Sequence, residues 1–599
     1  MAKATAPTRP QGQARAPTQA QPSAQAQPQA AAQAQGSFLD LVAATVPLFA
    51  AALEAHRQGQ LSRARSAYLE LMDQPNVTAV CLHQLGVVAG QQGDHKRAAE
   101  LFQRAIRIDP GQPMFYQNLS VSLERMGNKP AALDALIDLG CALQKSEMHD
   151  QAIPVYRRIL EADPCRYAAY VNMGTGLAWL GDTQNAVPAL LRGAVLYGEV
   201  KPELKLFLAR LLPNLIAGGA VPPDIATPPG PPTGRVEMIE HALASVGKAL
   251  TELGYHEEAV KCYRMAVETE PGLPLAHWNL SLALLSEGDF ANGWREYEWR
   301  WRWDKFPDPH RRLPVPEWRG EPLAGKTIVV YAEQGYGDTI QFAPLARRLA
   351  EQAGEVLLEV TTPQVRLFKE GFAGGNLHVV ERTRNADIIA TPKPYHYVVP
   401  LMSLPARLSL SLGELPLCGP YIAPQVAAHA AWAKRFAAAK GERIGLAWAG
   451  RPTHAEDRKR SLRLERLRAL FLLEGINWYS LQVGPASAQI AETNLPLVDL
   501  APHFKDFADT AAAISELDLV IAVDTAVAHL GAALGKTVWV LLPAVADWRW
   551  LQGRSDSPWY PSMRLFRQPT IGDWDSVLAD VLRALTERVP QRSQKTLPT

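Results

Sequence analysis

A 34-residue period in the first half of the chain constrains its fold more than any other feature. It is clearest between Ala79 and Pro110, where Leu85-Gly86, Gly93, Ala98, Phe102, Ala105 and Pro110 take positions 7, 8, 15, 20, 24, 27 and 32 of a unit. One unit earlier stand Gly59, Ala64 and Tyr68; one unit later, from near Pro113, stand Tyr116, Leu119 and Gly127. A slightly shortened step then gives Leu139-Gly140, Ala152, Tyr156 and Pro164, followed by Gly174, Gly181 and Ala186. Small residues at these positions let two antiparallel helices approach closely, and the final proline ends the second helix. One helix pair cannot bury its apolar face alone, so the four or five units over about residues 45–200 are expected to stack into a solenoid.

These spacings resemble the tetratricopeptide repeat, which implies a concave surface that binds an extended peptide or a partner protein. Most of the small and apolar positions are expected to serve packing. Between Gly218 and Gly234, ten of seventeen residues are Pro or Gly, a composition that cannot hold a helix and reads as a semi-rigid linker after repeats over 41–217. The repeats resume over 235–305 with Gly247, Gly254, Ala259, Tyr263, Ala266 and Pro271. A last unit from Pro274 carries Leu280, Gly288 and Tyr297 and runs into Trp294, Trp299, Trp301 and Trp303.

Composition removes several function classes. Sixty-one Lys plus Arg against 60 Asp plus Glu leave a net charge of +1, so the broad basic field needed to hold a nucleic-acid backbone is missing. The cysteines at 81, 141, 165, 262 and 418 form no C-x-x-C pair and are expected to be reduced thiols of a cytoplasmic protein. The first 36 residues hold 12 Ala, 9 Gln and 5 Pro without a continuous apolar run, so residues 1–40 are expected to be a disordered tail and not a secretory signal. Leu41 to Leu53 is apolar but contains Pro47 and falls short of the about 20 residues that span a bilayer, so no membrane span is expected.

From about Lys326 the pattern changes to short β-branched runs alternating with amphipathic helices. Thr327–Tyr331, Val356–Val360 and Tyr397–Val399 read as one set of strands. Arg443–Trp448, Trp478–Gln482, Leu517–Val523 and Thr537–Leu542 read as a second. Two alternating sets predict two Rossmann-like parallel-sheet domains, over 306–424 and 425–588, with a tail over 589–599. Functional residues in such sheets belong at the carboxyl ends of the strands.

Glu333-Gln-Gly-Tyr-Gly-Asp-Thr339 follows the first strand. Gly335 and Gly337 permit a tight turn and close approach of a ligand, while Asp338 reads either as a cap of the next helix or as a chemical group. Later, a buried strand ends in Asp524-Thr525, and Ala526-Val-Ala-His529 opens a helix whose free N–H groups, with the Thr525 hydroxyl, suit a diphosphate. His529 would lie near that site or be a hydrogen-bonded, half-buried histidine. Arg443–Trp448 runs into a polar loop with Arg451, Arg458, Lys459 and Arg460, which reads as a counter-charge to a leaving group or as a solvated face. Gln482 ends the neighbouring strand. No H-E-x-x-H or Cys/His cluster points to a metal, and Asp573-Trp-Asp575 sits where a helix N-cap is expected.

Gly337-Asp338 and Asp524-Thr-Ala-Val-Ala-His529 together resemble the heptosyltransferase-like GT-B glycosyltransferases, here joined to tetratricopeptide repeats. In that family the late motif commonly reads Asp-Thr-Gly, so Ala526 is a departure that limits how closely a donor approaches the backbone. The resemblance covers about residues 320–585 and implies metal-independent, inverting transfer from a nucleotide sugar, with no cofactor. It makes Asp338 the candidate base, Gln482, Asp524, Thr525, Ala526 and His529 donor-side residues, and Lys459 or Arg460 the contact to the diphosphate. The architecture is similar to that of protein O-glycosyltransferases, flagellin glycosyltransferases among them, which implies a protein acceptor chosen by the repeats. A repeat scaffold with a degenerate transferase half and a transferase for a lipid-linked or polysaccharide acceptor are the alternatives.

Overall fold

The computed structural model describes residues 39–199, 202–233, 239–304, 306–308, 310–383, 388–453 and 457–589. The tails expected over 1–40 and 589–599 lie outside the described residues apart from Leu39, Asp40 and Val589. The chain divides into two compact units, residues 39–182 with 228–233 and residues 183–227 with 239–589.

The first unit is all helical. Its helices include Pro47–Arg57, Leu61–Glu70, Thr78–Gln91, His95–Ile108, Pro113–Arg125, Lys129–Lys145, His149–Ala162 and Tyr167–Trp179. Gly59, Gly93 and Gly127 turn the chain between paired helices with φ of +74°, +84° and +77°, and Gly181, after helix Tyr167–Trp179, takes φ +80°; a Cβ is disfavoured in each. A Cβ on Gly86 would lie 2.6 Å from the Phe102 ring, which explains the small residue at that repeat position. The shortened step has a simple cause. Helix Lys129–Lys145, 17 residues long, closes the unit that begins at Pro113 and also opens the next, where Gly140 packs directly on the Tyr156 ring. The turn after it holds Glu147, at φ +61°, in the place glycine occupies elsewhere.

The second unit begins with helices Thr183–Gly198, Pro202–Ala217, Ile239–Glu252, His256–Thr269, Pro274–Glu287 and Phe290–Tyr297. The Pro/Gly stretch corrects the expectation of a simple linker. Residues 223–226 form a 3-10 turn in which the Arg192 guanidinium donates to the carbonyls of Asp224 at 2.8 Å and Thr227 at 3.0 Å, and Val221 and Ile225 are buried. Residues 228–233 belong to the first unit, where the Thr233 hydroxyl donates to Asp163 at 2.6 Å. The stretch is therefore shared between both units, and 183–217 joins the second unit instead of the first run of repeats.

Two parallel sheets follow. β1 (Thr327–Tyr331), β2 (Glu355–Val360), β3 (Leu377–Glu381) and β4 (Tyr397–Pro400) are ordered β3-β2-β1-β4. β5 (Glu442–Ala447), β6 (Ile476–Ser480), β7 (Leu497–Asp499), β8 (Leu519–Val523), β9 (Val538–Leu542) and β10 (Met563–Arg567) are ordered β10-β9-β8-β5-β6-β7. All pairings between these strands are parallel, which gives two Rossmann-like sheets. The strand order reverses between β1 and β4 and between β8 and β5, and crevices that take ligands lie outside the carboxyl ends at such points.

The last repeat helices share a core with these sheets. Leu285, Phe290, Trp294 and Tyr297 are buried in one cluster with Ile328 and Val330 of β1 and with Trp548 and Trp559. Trp294 meets Phe342 and Trp548 edge-on, with ring centroids 5.8 and 5.2 Å away. Arg300, fully buried, donates to Glu333 at 2.8 Å and to the Ser403 hydroxyl at 2.7 Å. Among the described residues no helix is long and apolar enough to cross a membrane.

Candidate functional site

The carboxyl end of β1 is built tightly. Glu333 is buried, bound by Arg300 and by the Met402 N–H at 3.0 Å; burial pushes its carboxyl up to about 7 while Arg300 pulls it down. Gln334 takes φ +62°, and its amide donates to the Tyr297 hydroxyl at 2.7 Å. Gly335 then caps helix Tyr336–Ala350. Asp338, in the first turn, accepts the Gly335 N–H at 2.7 Å through one oxygen and pairs with Arg549 through the other. Asp338 thus stabilises the helix start, as the capping reading expects, and its second oxygen is held by Arg549. Arg549 is buried, donates to Gln341 at 2.9 Å and Asp547 at 2.8 Å, and lies over the Trp548 ring at 4.4 Å.

The carboxyl end of β8 faces this arrangement. Thr525 caps helix Ala526–Ala533 in an extended conformation, and its hydroxyl is buried without a hydrogen-bond partner. Asp524 is buried; burial and then Asp547 push its carboxyl up, opposed by Arg460, whose guanidinium is 3.8 Å away. The Arg460 Nε is buried without a hydrogen bond and lies 3.6 Å from the Asp457 carboxylate. The His529 Nδ1 is 3.3 Å from the Tyr560 hydroxyl and its ring stacks on Trp550. Burial and then Arg549 lower its titration to about 4, so the ring is neutral at pH 7. The two helix starts meet at Gly337: a Cβ there would lie 3.1 Å from the His529 ring and 3.6 Å from the Ala526 Cα. Gly335, Gly337, Asp338, Asp524, Thr525, Ala526, His529 and Arg460 thus gather where β1 and β8 end.

Two expected donor-side residues are engaged elsewhere. The Gln482 amide accepts the Trp448 and Ala449 N–H groups at 3.0 and 2.9 Å and donates to the Ala449 and Val483 carbonyls, both at 3.0 Å. It joins the ends of β5 and β6, and its role is to shape the loop. The Lys459 ammonium lies 3.2 Å from Glu252 of a repeat helix. Gly450 admits the loop's own side chains, since a Cβ there would collide with Asp457 and Arg460. Asp573 caps the terminal helix through the Ser576 N–H at 3.0 Å, as the sequence suggests. Among the described residues no group of three or more His, Cys, Asp or Glu could hold a metal ion. Arg549 and Asp547 lie within a Trp-rich motif, but nothing local in the sequence pairs Arg549 with a carboxylate 211 positions away.

Chemically, the site sets a carboxylate on one domain opposite donors on the other: the first N–H groups of helix Ala526–Ala533, the Thr525 hydroxyl and Arg460. The tetratricopeptide-repeat family matches residues 79–112, 133–164 and 240–272. The chain therefore carries tetratricopeptide repeats over those residues. Across its length it is similar to Protein FlbA of Caulobacter vibrioides, at 23% identity over 577 residues, 90% of this chain and 89% of that protein. Its α/β part aligns with a solved glycosyl transferase family 9 structure from Veillonella parvula, at 14% identity and TM-score 0.34, over 45% of this chain and 99% of that one. The repeats align with YrrB, a repeat protein with an unusual peptide-binding site, at 14% identity and TM-score 0.20, over 39% of this chain and 90% of YrrB.

Proposed function

We propose that the chain is a glycosyltransferase that moves a sugar from a nucleotide-sugar donor to a protein acceptor selected by its repeats, with flagellin the first acceptor to test. One observation carries the reading: the carboxylate of Asp338, the unpartnered Thr525 hydroxyl and the Arg460 guanidinium gather at the reversal points of two parallel sheets. In the proposed step the acceptor hydroxyl oxygen attacks the anomeric carbon, and the bond from that carbon to the phosphate oxygen breaks. The hydroxyl proton passes to Asp338, and the nucleoside diphosphate leaves towards the helix start and Arg460. Attack opposite the leaving group inverts the anomeric centre. The cations and N–H groups take the place of a metal in neutralising the diphosphate. We place the reaction in the cytoplasm, where the five free cysteines stay reduced.

The test compares purified wild-type chain with Asp338→Asn for sugar transfer to flagellin and to other surface proteins, read by intact mass. Asp338→Asn should lose at least about 100-fold in rate, the scale of general-base catalysis, while still binding donor. A second reading, a scaffold with an idle transferase half, is favoured by the full engagement of the Asp338 carboxylate by Arg549 and Gly335. Transfer by the wild type excludes it, and unchanged glycoconjugates in cells without the chain support it.

A further inference from the structure

Lys459 was expected to face a diphosphate, yet its ammonium is held by a repeat. Glu252 is the last residue of helix Ile239–Glu252, and its carboxylate is 13% exposed. One oxygen lies 3.2 Å from Lys459 Nζ, and the other accepts the Thr183 hydroxyl at 3.1 Å. Three elements therefore meet on one carboxylate: helix Thr183–Gly198, helix Ile239–Glu252 and the four-residue helix Asp457–Arg460.

The next residue after Lys459 is Arg460, whose guanidinium lies 3.8 Å from Asp524 and 3.6 Å from Asp457. The short helix is pinned on its other side, where the Ser461 N–H bonds the Asp457 carbonyl at 2.8 Å and the Leu462 N–H bonds the Trp448 carbonyl at 2.8 Å. One turn of helix cannot shift Lys459 without shifting Arg460. The same repeat turn reaches further along the sheet edge. Val523 pairs with Leu541 and Arg567 with Leu542, so Asp524 and Arg567 stand level, two strands or about 10 Å apart. His256, just past the turn at Gly254, is lowered by burial and then by the Arg567 charge. The turn over residues 252–256 thus meets Lys459 through Glu252 and carries His256 within range of the Arg567 charge.

We propose that Glu252 is a positioning residue through which the repeats set the cationic side of the donor site, so that a protein bound to the repeats alters affinity for the nucleotide. The inference rests on the donor reading of this edge. A change in the angle between helices Thr183–Gly198 and Ile239–Glu252 moves the Glu252 carboxylate, and with it Lys459 and Arg460. The repeats are then part of the enzyme's affinity for its small substrate as well as its means of choosing a large one.

Calorimetric titration of the full chain with UDP, GDP, ADP and CDP tests it. The wild type should bind at least one; heat from none overturns the donor reading itself. For the nucleotide that binds, Glu252→Gln and Lys459→Met should each raise Kd by about three- to fivefold, the worth of a partly exposed ion pair, with unchanged thermal midpoints. The double variant should bind no worse than either single one, and the reversed pair E252K/K459E should recover wild-type affinity. Binding by the wild type with an unchanged Kd in Glu252→Gln, or additive losses in the double variant, overturns the inference.

Discussion

The two runs of repeats use the same residues for different ends. In the first unit the buried side chains fall into separate small clusters, such as Phe49 with Tyr68 and Phe115, or Leu133 with Tyr156 and Ile159. Each cluster serves neighbouring helices alone, as expected of a solenoid. In the second unit Leu285, Phe290, Trp294 and Tyr297 share one core with β1 and with the Trp548–Trp559 region. Arg300 reaches Glu333 at the end of β1, and Glu252 reaches Lys459 after β5. The second run becomes part of the α/β body by turning aromatic and charged side chains towards the sheets while its own helix pairs stay intact.

The strongest test of that contrast is Trp294→Ala. A buried Trp removed from this junction should cost the second unit about 3–5 kcal/mol and leave the first unit's unfolding transition in place, as read by calorimetry and urea unfolding. A shift of both transitions would mean that the two runs unfold as one.

Acid should affect both units through different histidines. His83, buried and stacked on Phe115, is lowered by burial to about 3, and His529 to about 4. Below pH 6.5 the unfolded chain binds a proton at each that the folded chain refuses, so stability is present in full above 6.5 and lost as pH falls towards the folded values. Each should remove roughly 2 kcal/mol between pH 7 and 5. His83→Asn should flatten that slope in the first unit only, and His529→Asn in the second only. A slope unchanged by either variant would assign the acid sensitivity to other groups.

The smallest expected effect refines the first unit alone. Glu147 holds the left-handed turn position that glycine takes at 59, 93 and 127, so Glu147→Gly should stabilise by about 0.5–1 kcal/mol. A midpoint that falls would show that the Glu147 side chain contributes more than its backbone costs.

Much of this fold is legible locally. The turn glycines mark the repeats because a positive φ leaves few other residues, and β1, β2, β8 and β9 announce themselves as mainly apolar runs with β-branched residues. The strands that escape notice are β3, β7 and β10, all at sheet edges. An edge strand is half solvated, so Leu-His-Val-Val-Glu381 and Met-Arg-Leu-Phe-Arg567 carry polar residues inside the run, and Leu-Val-Asp499 is only three residues long. The candidate site divides in the same way. Asp338, Asp524, Thr525 and His529 sit at strand ends and helix starts, which local pattern locates. The partners Arg549, Glu252 and Tyr560 come from distant segments, and no period or cap signal connects them. Gln482 reads as a free polar residue at a strand end until the neighbouring loop is seen to consume its whole amide.

The helix Lys129–Lys145 also governs how such an array can grow or shrink in the gene. Between Gly59 and Gly127, any duplication or loss of 34 codons returns the chain in phase, since Gly59, Gly93 and Gly127 are interchangeable landmarks. Across the shared helix the distance from Gly127 to Glu147 is 20 positions, and a 34-codon event that begins there places a turn inside a helix. The array therefore has a segment where whole-unit exchange keeps the turns in phase and a joint across which it does not.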